Sequence, residues 1–260
     1  MRVGKGRKSP DEMTFLEHLD DLRKRLFYSF IALFIGFIPG WIFSKDLYRI
    51  LARPVTQYLP PGTKLAFTTL TEGFMLYMKV AGLASLFLMS PFVFLQLWYF
   101  IAPGLYQKEK KYVIPFVLMT SFFFCLGAVF GYFIVFPFAC RFFLQLASDF
   151  QPVITVDQYF GFSIKVLLGI ALVFEMPTLI FFLAKMGLVT ARWMISHFKY
   201  AVLAIFIIAA VITPTPDVVT QSIVAFPMLA LYGLSILIAL VVGRGREKAE
   251  RRADGGTTAG

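Results

Sequence analysis

Residues 15–43 read FLEHLDDLRKRLFYSFIALFIGFIPGWIF and join a charged amphipathic segment to an uncharged apolar run. Apolar residues recur at spacings of 4, 3 and 4 from Phe15 to Leu26, so they share one face of a helix. The next stretch, Leu26 to Phe43, has 18 residues without charge, enough for a bilayer core. The segment therefore predicts an amphipathic helix at a membrane surface that continues into a transmembrane helix.

The charges of this segment allow two interpretations. Asp20 and Asp21 precede three consecutive bases, Arg23, Lys24 and Arg25. Asp20–Lys24 and Asp21–Arg25 are i,i+4 pairs with the acid first, each stabilising a helix by about 0.2–0.5 kcal/mol. The pattern fits a well-solvated helix, and it also fits an acidic surface that receives a cationic partner.

Composition indicates an integral membrane protein. Of the 260 residues 58% are hydrophobic, 31 are Phe, and only 15% are charged, against about 25% in an average globular domain. The net charge of +10 comes from bases in loops and tails between apolar runs. Topology explains such bases better than a nucleic-acid-binding face, so no nucleic-acid partner is expected.

The sequence offers no cofactor or metal site. Cys125 and Cys140 stand fifteen positions apart in one apolar run, about 22 Å along a helix, too far for a disulfide. There is no CxxC, and His18 and His197 stand alone. Redox and metal chemistry are therefore not expected.

Six apolar runs predict six membrane spans. The fifth has only 13 residues and is followed by Thr-Pro-Thr-Pro-Asp, so the last two runs are either two short spans or a re-entrant hairpin. Loops are predicted over 45–71, 103–111, 141–157 and 185–199. The runs are 26–43, 72–102, 112–140, 158–184, 200–212 and 218–242.

Lysine and arginine counts predict the orientation. Eighteen lie in the two tails and the loops on their side, and five lie in the opposite loops, so the positive-inside rule predicts two cytoplasmic termini. The expected organisation is a basic disordered tail over 1–12, a transmembrane domain over 13–243, and a basic polar cytoplasmic tail over 244–260.

Four motifs, in the same order along the chain, resemble TatC, the multispanning receptor family of the twin-arginine protein translocase. They are HLDDLRKRL (18–26), FIAPGLYQKEKK (100–111), FEMP (174–177) and TPTPDVVTQ (213–221). The resemblance covers roughly residues 13–242. It implies an all-α integral membrane protein of the cell inner membrane, with six transmembrane helices in a concave, glove-like bundle and both termini cytoplasmic.

The resemblance also implies a function. The family binds signal peptides with paired arginines on folded precursor proteins. It then works with the single-span partners TatA and TatB, and with further copies of itself, to export the cargo using the proton-motive force. The protein is thus expected to be a receptor and not an enzyme.

The resemblance assigns the signal-peptide site to cytoplasmic residues. Asp21 and Glu109 match the acids that face the arginine pair, Arg23 matches a family arginine, and Asp20 and Phe100 accompany them. The family commonly has Glu in place of Asp21. A carboxylate suits this task because the planar guanidinium fork can bind it bidentately, a geometry that lysine cannot copy. Without the resemblance, Glu109 would be a solvated loop acid neutralised by the lysines around it.

Polar residues inside the spans form a second group. Glu175 matches an acid that the family keeps in its fourth span, and Gln96 and Lys165 are candidate neighbours for it. An acid in that position must be protonated or paired. It forms either a hydrated polar spot or an ordinary hydrogen bond between helices.

Three further residues match family positions near the outer face. Pro54 matches a proline of the first outer loop. Asp217 and Gln221 match the region where the family docks its single-span partners, although Asp217 also fits a simple helix N-cap. The family often has an acid after Leu-Tyr in the sixth span, and this chain has Gly233 there.

Three other function classes compete with the receptor. A proton-coupled secondary transporter of a small solute would use Glu175 and Lys165 as a relay, but the chain shows no internal repeat. A membrane enzyme lacks a Ser/His/Asp, Cys/His or paired-carboxylate constellation. A structural scaffold would not distinguish Arg-Arg from Lys-Lys peptides.

Overall fold

The structure, a computed structural model, describes residues 15–58, 65–101, 113–146, 149, 153–213 and 217–257. The described part is helical apart from turns and one isolated β-bridge between Ala66 and Thr155. Its helices are α1 (Phe15–Ile42), α2 (Ser44–Thr56), α3 (Glu72–Ile101), α4 (Val113–Phe130), α5 (Phe136–Leu146), α6 (Val156–Val173), α7 (Met176–Met186), α8 (Ala191–Ser196), α9 (Phe198–Ile212) and α10 (Val218–Thr257), with a π-helical turn at Gly131–Val135.

Five helical stretches are long and apolar enough to cross a membrane, and α9 is a shorter apolar helix. The prediction of an all-α fold with six apolar runs is confirmed. Helix α10 runs to Thr257, past the predicted end of the sixth run, because residues 244–253 are rich in Arg, Glu, Lys and Ala, which favour helix. The five long stretches are Leu19–Ile42, Glu72–Phe100, Val113–Leu146, Val156–Met186 and Val218–Gly243.

Three predicted loops contain helix. The predicted loop 45–71 begins with α2, the loop 141–157 begins inside α5, and the loop 185–199 contains α8. A proline such as Pro54 ordinarily interrupts the hydrogen bonding of a helix. Pro54 lies near the end of α2, where its missing N–H leaves the carbonyl of Ile50 without its usual partner. The Tyr132 hydroxyl donates to that carbonyl at 2.7 Å and so permits the helix.

The fourth predicted span is broken in the middle. Helix α6 ends at Val173 and α7 starts at Met176, with Pro177 in the first turn of α7. A proline at this point removes one backbone donor and favours a new helix start. The break leaves Glu175 at the N-terminus of α7 and not inside a continuous helix.

The chain forms two compact units, and the first comprises Met1–Leu47 and Tyr77–Ser121. In it α1 packs closely on α3: a Cβ added at Gly40 would lie 2.7 Å from the carbonyl oxygen of Ala81. The Ser85 hydroxyl donates to the carbonyl of Leu33 between the same two helices. Glycine and serine thus bring the two backbones together, as is common for helices in membranes.

The second unit comprises Tyr48–Leu76 and Phe122–Gly260. Helix α4 meets the α6–α7 break at Gly127, where an added Cβ would lie 2.7 Å from the Cα of Ala171 and 2.9 Å from the Cβ of Phe174. Helix α8 is tied to α10 because the Tyr232 hydroxyl donates to the carbonyl of Met194 at 3.0 Å. These contacts fix the surroundings of Glu175 and the connection between α7 and α9.

Candidate functional site

The acid of the first helix is held by a base one turn further along. Oδ1 of Asp21 lies 3.3 Å from Nε of Arg25, and the two side chains are 19% and 28% exposed. Asp20, Arg23 and Lys24 are exposed. Of the two i,i+4 pairs that the sequence predicts, the Asp21–Arg25 pair is thus present and only partly shielded from solvent.

Arg25 is the centre of a polar cluster between α1 and α3. Its Nη1 donates to Oε1 of Gln96 at 3.4 Å, and its guanidinium lies over the ring of Tyr99, 5.1 Å from the centroid. Gln96 is buried. We call Asp21, Arg25, Gln96 and Tyr99 the Arg25 cluster. The cluster joins Asp21, a predicted signal-peptide residue, to Gln96, a predicted intramembrane polar residue.

In the Arg25 cluster, the negative charge of the Asp21 carboxylate is already balanced by Arg25. A carboxylate has two oxygens with about four acceptor positions, so a further cation can bind Asp21 while Arg25 remains in place. The contact with the Tyr99 ring and the bond to Gln96 restrict the guanidinium of Arg25, whose Nε makes an ion contact with Asp21 but no hydrogen bond. The arrangement can therefore receive a guanidinium arriving from the exposed side.

The second predicted acid, Glu109, lies outside the described residues. Phe100 is partly exposed near the end of α3 and takes part in a ring contact or polar interaction. The pairing of Asp21 with Glu109 therefore stays a prediction, because the structure describes Asp21 and not Glu109.

Glu175 has a different setting. It is buried at the N-terminal end of α7, its side chain makes no capping hydrogen bond, and its Oε1 has no hydrogen-bond partner among the described residues. Thr178, one turn later, is also buried with an unpartnered hydroxyl. The predicted neighbour Lys165 is exposed, and no ion pair joins it to Glu175 in the described part of the chain.

Pro54 is buried near the end of α2, and two tyrosines bind the carbonyls of that helix. The Tyr132 hydroxyl donates to Ile50 at 2.7 Å, and the Tyr159 hydroxyl donates to Leu51 at 2.8 Å. Tyr132 lies in the π-helical turn, a distortion that often occurs at functional positions. Because Pro54 lacks an N–H, the carbonyl of Ile50 is available to the Tyr132 hydroxyl. This bond fixes α2 to the rest of its unit.

Asp217 and Gln221 both make hydrogen bonds at the start of α10. Oδ2 of Asp217 accepts from the backbone N–H and the hydroxyl of Thr220, each at 2.7 Å, which is the N-cap that the sequence allowed. The side-chain amide of Gln221 donates to the carbonyl of Phe206 in α9 at 2.8 Å. Both residues therefore stabilise the end of the α9–α10 pair.

The sequence paired Arg25 with Asp21 through their i,i+4 spacing. It assigned no role in the site to Arg25, Tyr99 or Tyr132. Gln96 lies 71 positions away, and no local pattern links it to Arg25. In the described part of the chain, no three His, Cys, Asp or Glu side chains lie close enough together to hold a metal ion.

Known proteins resemble this chain along most of its length. The family model TatC, Sec-independent protein translocase protein, matches residues 17–227. The Sec-independent protein translocase protein TatC of Koribacter versatilis is 43% identical over 93% of this chain and 90% of its own length. The protein of the same description from Desulforapulum autotrophicum is 43% identical over 95% of this chain and 91% of its own length.

Solved structures agree with these relatives. A crystal structure of the twin arginine translocase receptor TatC is 36% identical, covers 87% of this chain and 99% of the solved chain, and superposes with a TM-score of 0.74. A second crystal structure of that receptor, in the detergent DDM, is 37% identical and covers 86% of this chain and 99% of the solved chain, with a TM-score of 0.76.

Proposed function

We propose that this chain, which belongs to the TatC family of Sec-independent protein translocase proteins, is the subunit that binds twin-arginine signal peptides. Family membership makes it a multi-pass membrane protein and a translocase component, not an enzyme. The recognised ligand is the pair of adjacent guanidiniums at the start of a folded precursor's signal peptide.

The Asp21–Arg25 ion pair is the observation that carries this proposal. It places a partly shielded carboxylate near the start of the first apolar helix. Partial shielding matters because a fully exposed ion pair contributes only about 0–1 kcal/mol. Charge-assisted hydrogen bonds from a guanidinium are roughly twice as strong as neutral ones and demand a planar donor. Glu109 provides the second carboxylate, and Asp20, Arg23 and Phe100 line the approach.

The remaining parts of the transport reaction follow from the same proposal. Both termini lie in the cytoplasm of a cell whose inner membrane holds the protein, as the distribution of Lys and Arg favours. TatA and TatB, as single-span subunits, and further copies of this chain complete the translocase. The proton-motive force drives export, and Glu175 supplies a polar position that weakens the apolar barrier.

Photo-crosslinking tests the proposed function. A peptide with an Arg-Arg signal and a photoreactive group is offered to membranes holding the full chain, and a Lys-Lys peptide of equal charge serves as the control. We expect the Arg-Arg peptide to crosslink and the Lys-Lys peptide to crosslink at least about tenfold less, because lysine lacks the bidentate fork.

Two variants connect the result to the site. Asp21→Ala and Glu109→Ala should each abolish crosslinking while the protein still inserts into the membrane. Equal crosslinking of both peptides would refute the proposed selectivity, and normal crosslinking to both variants would refute the assignment of the acids.

A further inference from the structure

The connection between α7 and α9 carries an exposed basic and aromatic surface. Its exposed side chains follow the end of α7, cover one side of α8 and continue into the first turn of α9. We call this set the 187–200 surface: Leu188, Arg192, Trp193, Ile195, Phe198, Lys199 and Tyr200.

This surface is held firmly. Ala191 and Met194 of α8 are buried, and Met194 is bound through its carbonyl to the Tyr232 hydroxyl. The Thr190 hydroxyl accepts from the backbone N–H of Trp193 at 3.2 Å and caps α8. Because one side of α8 is packed, Arg192 and Trp193 are presented on the opposite side.

Aromatic rings are ordered on the exposed side. Trp193 stacks on His197 with ring centroids 4.6 Å apart, and Tyr200 lies 6.1 Å beyond His197. The ammonium of Lys199 sits 5.0 Å from the centroid of the Tyr200 ring. Trp193 and Tyr200 are 54% and 59% exposed, although tryptophan is highly buried on average.

Charge on this part of the chain has one sign. Residues 176–216 include Lys185, Arg192 and Lys199, and they contain neither Asp nor Glu. The apolar helices α7 and α9 flank the connection. In a membrane-spanning protein a connection between two apolar helices lies at a membrane face.

We propose that the 187–200 surface binds the anionic headgroups of the surrounding bilayer. Indole and phenol rings favour the headgroup region, long basic side chains extend their charge towards phosphates, and basic clusters at a membrane surface select anionic lipids. Arg192 and Lys199 each supply an exposed cation for a lipid phosphate, and each is followed in the chain by an exposed aromatic residue, Trp193 and Tyr200. The proposal goes beyond signal-peptide binding and does not depend on it.

Lipid-specific quenching of Trp193 fluorescence tests this proposal. The full chain with Trp41→Phe and Trp98→Phe leaves Trp193 as the only tryptophan. It is placed in nanodiscs of phosphatidylcholine with a minor share of phosphatidylglycerol, and either lipid carries bromine. We expect brominated phosphatidylglycerol to quench about two- to fourfold more than its share of the lipid predicts, since each basic residue attracts anionic headgroups.

A charge-matched pair of variants identifies the residues responsible. The enrichment is the quenching by brominated phosphatidylglycerol relative to its share of the lipid. Arg192→Gln with Lys199→Gln should reduce this enrichment to nearly one. Lys45→Gln with Arg53→Gln removes the same total charge from exposed positions of α2 and should leave the enrichment unchanged. Equal quenching by both lipids, or enrichment that survives Arg192→Gln with Lys199→Gln, would overturn the proposal.

Competition separates other ligands with related chemistry. Neither inorganic phosphate nor a polyglutamate peptide should reduce the enrichment more than sodium chloride of the same ionic strength does, and a larger reduction by either would overturn the lipid assignment in favour of that ligand. Trp98 is buried, so its substitution changes the interior of the protein. Native mass spectrometry of the chain with all three tryptophans therefore measures lipid binding without that substitution. It should show more retained phosphatidylglycerol on this chain than on its Arg192→Gln, Lys199→Gln variant, and equal amounts would contradict the proposal.

Discussion

Two acids of this chain stand in opposite surroundings. Asp21 is partly exposed and paired with Arg25, which is itself held by Gln96 and Tyr99. Glu175 is buried at a helix break, and its Oε1 has no partner among the described residues. The first acid already has a cationic partner and remains within reach of solvent. The second is arranged to place a polar atom in apolar surroundings.

The difference follows from local sequence. Asp21 precedes a base by four positions, so the helix itself supplies a partner. Glu175 precedes Met-Pro, so the chain supplies a break and no neighbouring charge. An unpartnered polar group in apolar surroundings costs free energy, so Glu175 is not expected to stabilise the fold. The following four substitutions test this contrast.

The largest expected effect is on the paired acid. Asp21→Asn keeps the shape of the side chain and removes its charge, so Arg-Arg peptide affinity should fall about ten- to a hundredfold, as expected for loss of charge-assisted hydrogen bonds. Asp20→Asn, at the exposed neighbouring position, is the matched control and should change affinity less than about threefold. Titration of a fluorescent signal peptide measures both, and equal losses would assign the binding to total charge.

The packing beside the buried acid is tested next. Gly127→Ala should destabilise the protein by about 1–3 kcal/mol, because the added methyl group meets the backbone of Ala171. Gly82→Ala is the control, since a Cβ there meets nothing within 4 Å and alanine favours helix. Unfolding by SDS in mixed micelles gives both free energies. A Gly127→Ala protein as stable as the unsubstituted chain would mean that α4 and the α6–α7 break are not in close contact.

A smaller effect on stability is expected at the carbonyl of Ile50, which lacks its usual helical partner because Pro54 has no N–H. Tyr132→Phe should cost about 0.5–1.5 kcal/mol, the usual net value of one hydrogen bond. In a Pro54→Ala background the restored N–H can pair with Ile50, so the same change should cost less. The double-mutant cycle measures this difference. Costs that simply add would show that Pro54 and Tyr132 do not share the Ile50 carbonyl.

The smallest loss of stability is expected at the buried acid. Glu175→Met removes an oxygen that has no partner among the described residues and places an apolar side chain of similar length there, so the free energy of unfolding should stay the same or rise. Arg-Arg peptide affinity should also be unchanged, while export should fall. A loss of more than about 1 kcal/mol would show instead that Glu175 makes the ordinary hydrogen bond between helices that its sequence also allows.

The sequence predicted the spans well because length without charge is a direct requirement of the bilayer. It did not predict α2, because Pro54 looks like a breaker until the hydroxyl of Tyr132, 82 positions away from Ile50, is known. The break at Glu175 was missed for a related reason. Prolines are tolerated inside membrane helices, so Pro177 alone could not show whether the helix bends or restarts.

The candidate site was predicted only in part. Resemblance to the family identified Asp21, and helical spacing supplied Arg25 as its partner. The bond from Arg25 to Gln96 depends on how α1 and α3 are rotated against each other, which local patterns do not determine. Packing between distant helices is therefore what the structure adds to the site.

The account rests on contact between the Asp21 carboxylate and a guanidinium of the signal peptide, and a double-mutant cycle across that contact tests it most directly. Affinities are measured for Arg-Arg, Arg-Gln and Gln-Arg peptides with the original chain and with Asp21→Asn. The account predicts a coupling of at least about tenfold, since each substitution removes the same contact. Independent losses, with no coupling for either arginine, would contradict it.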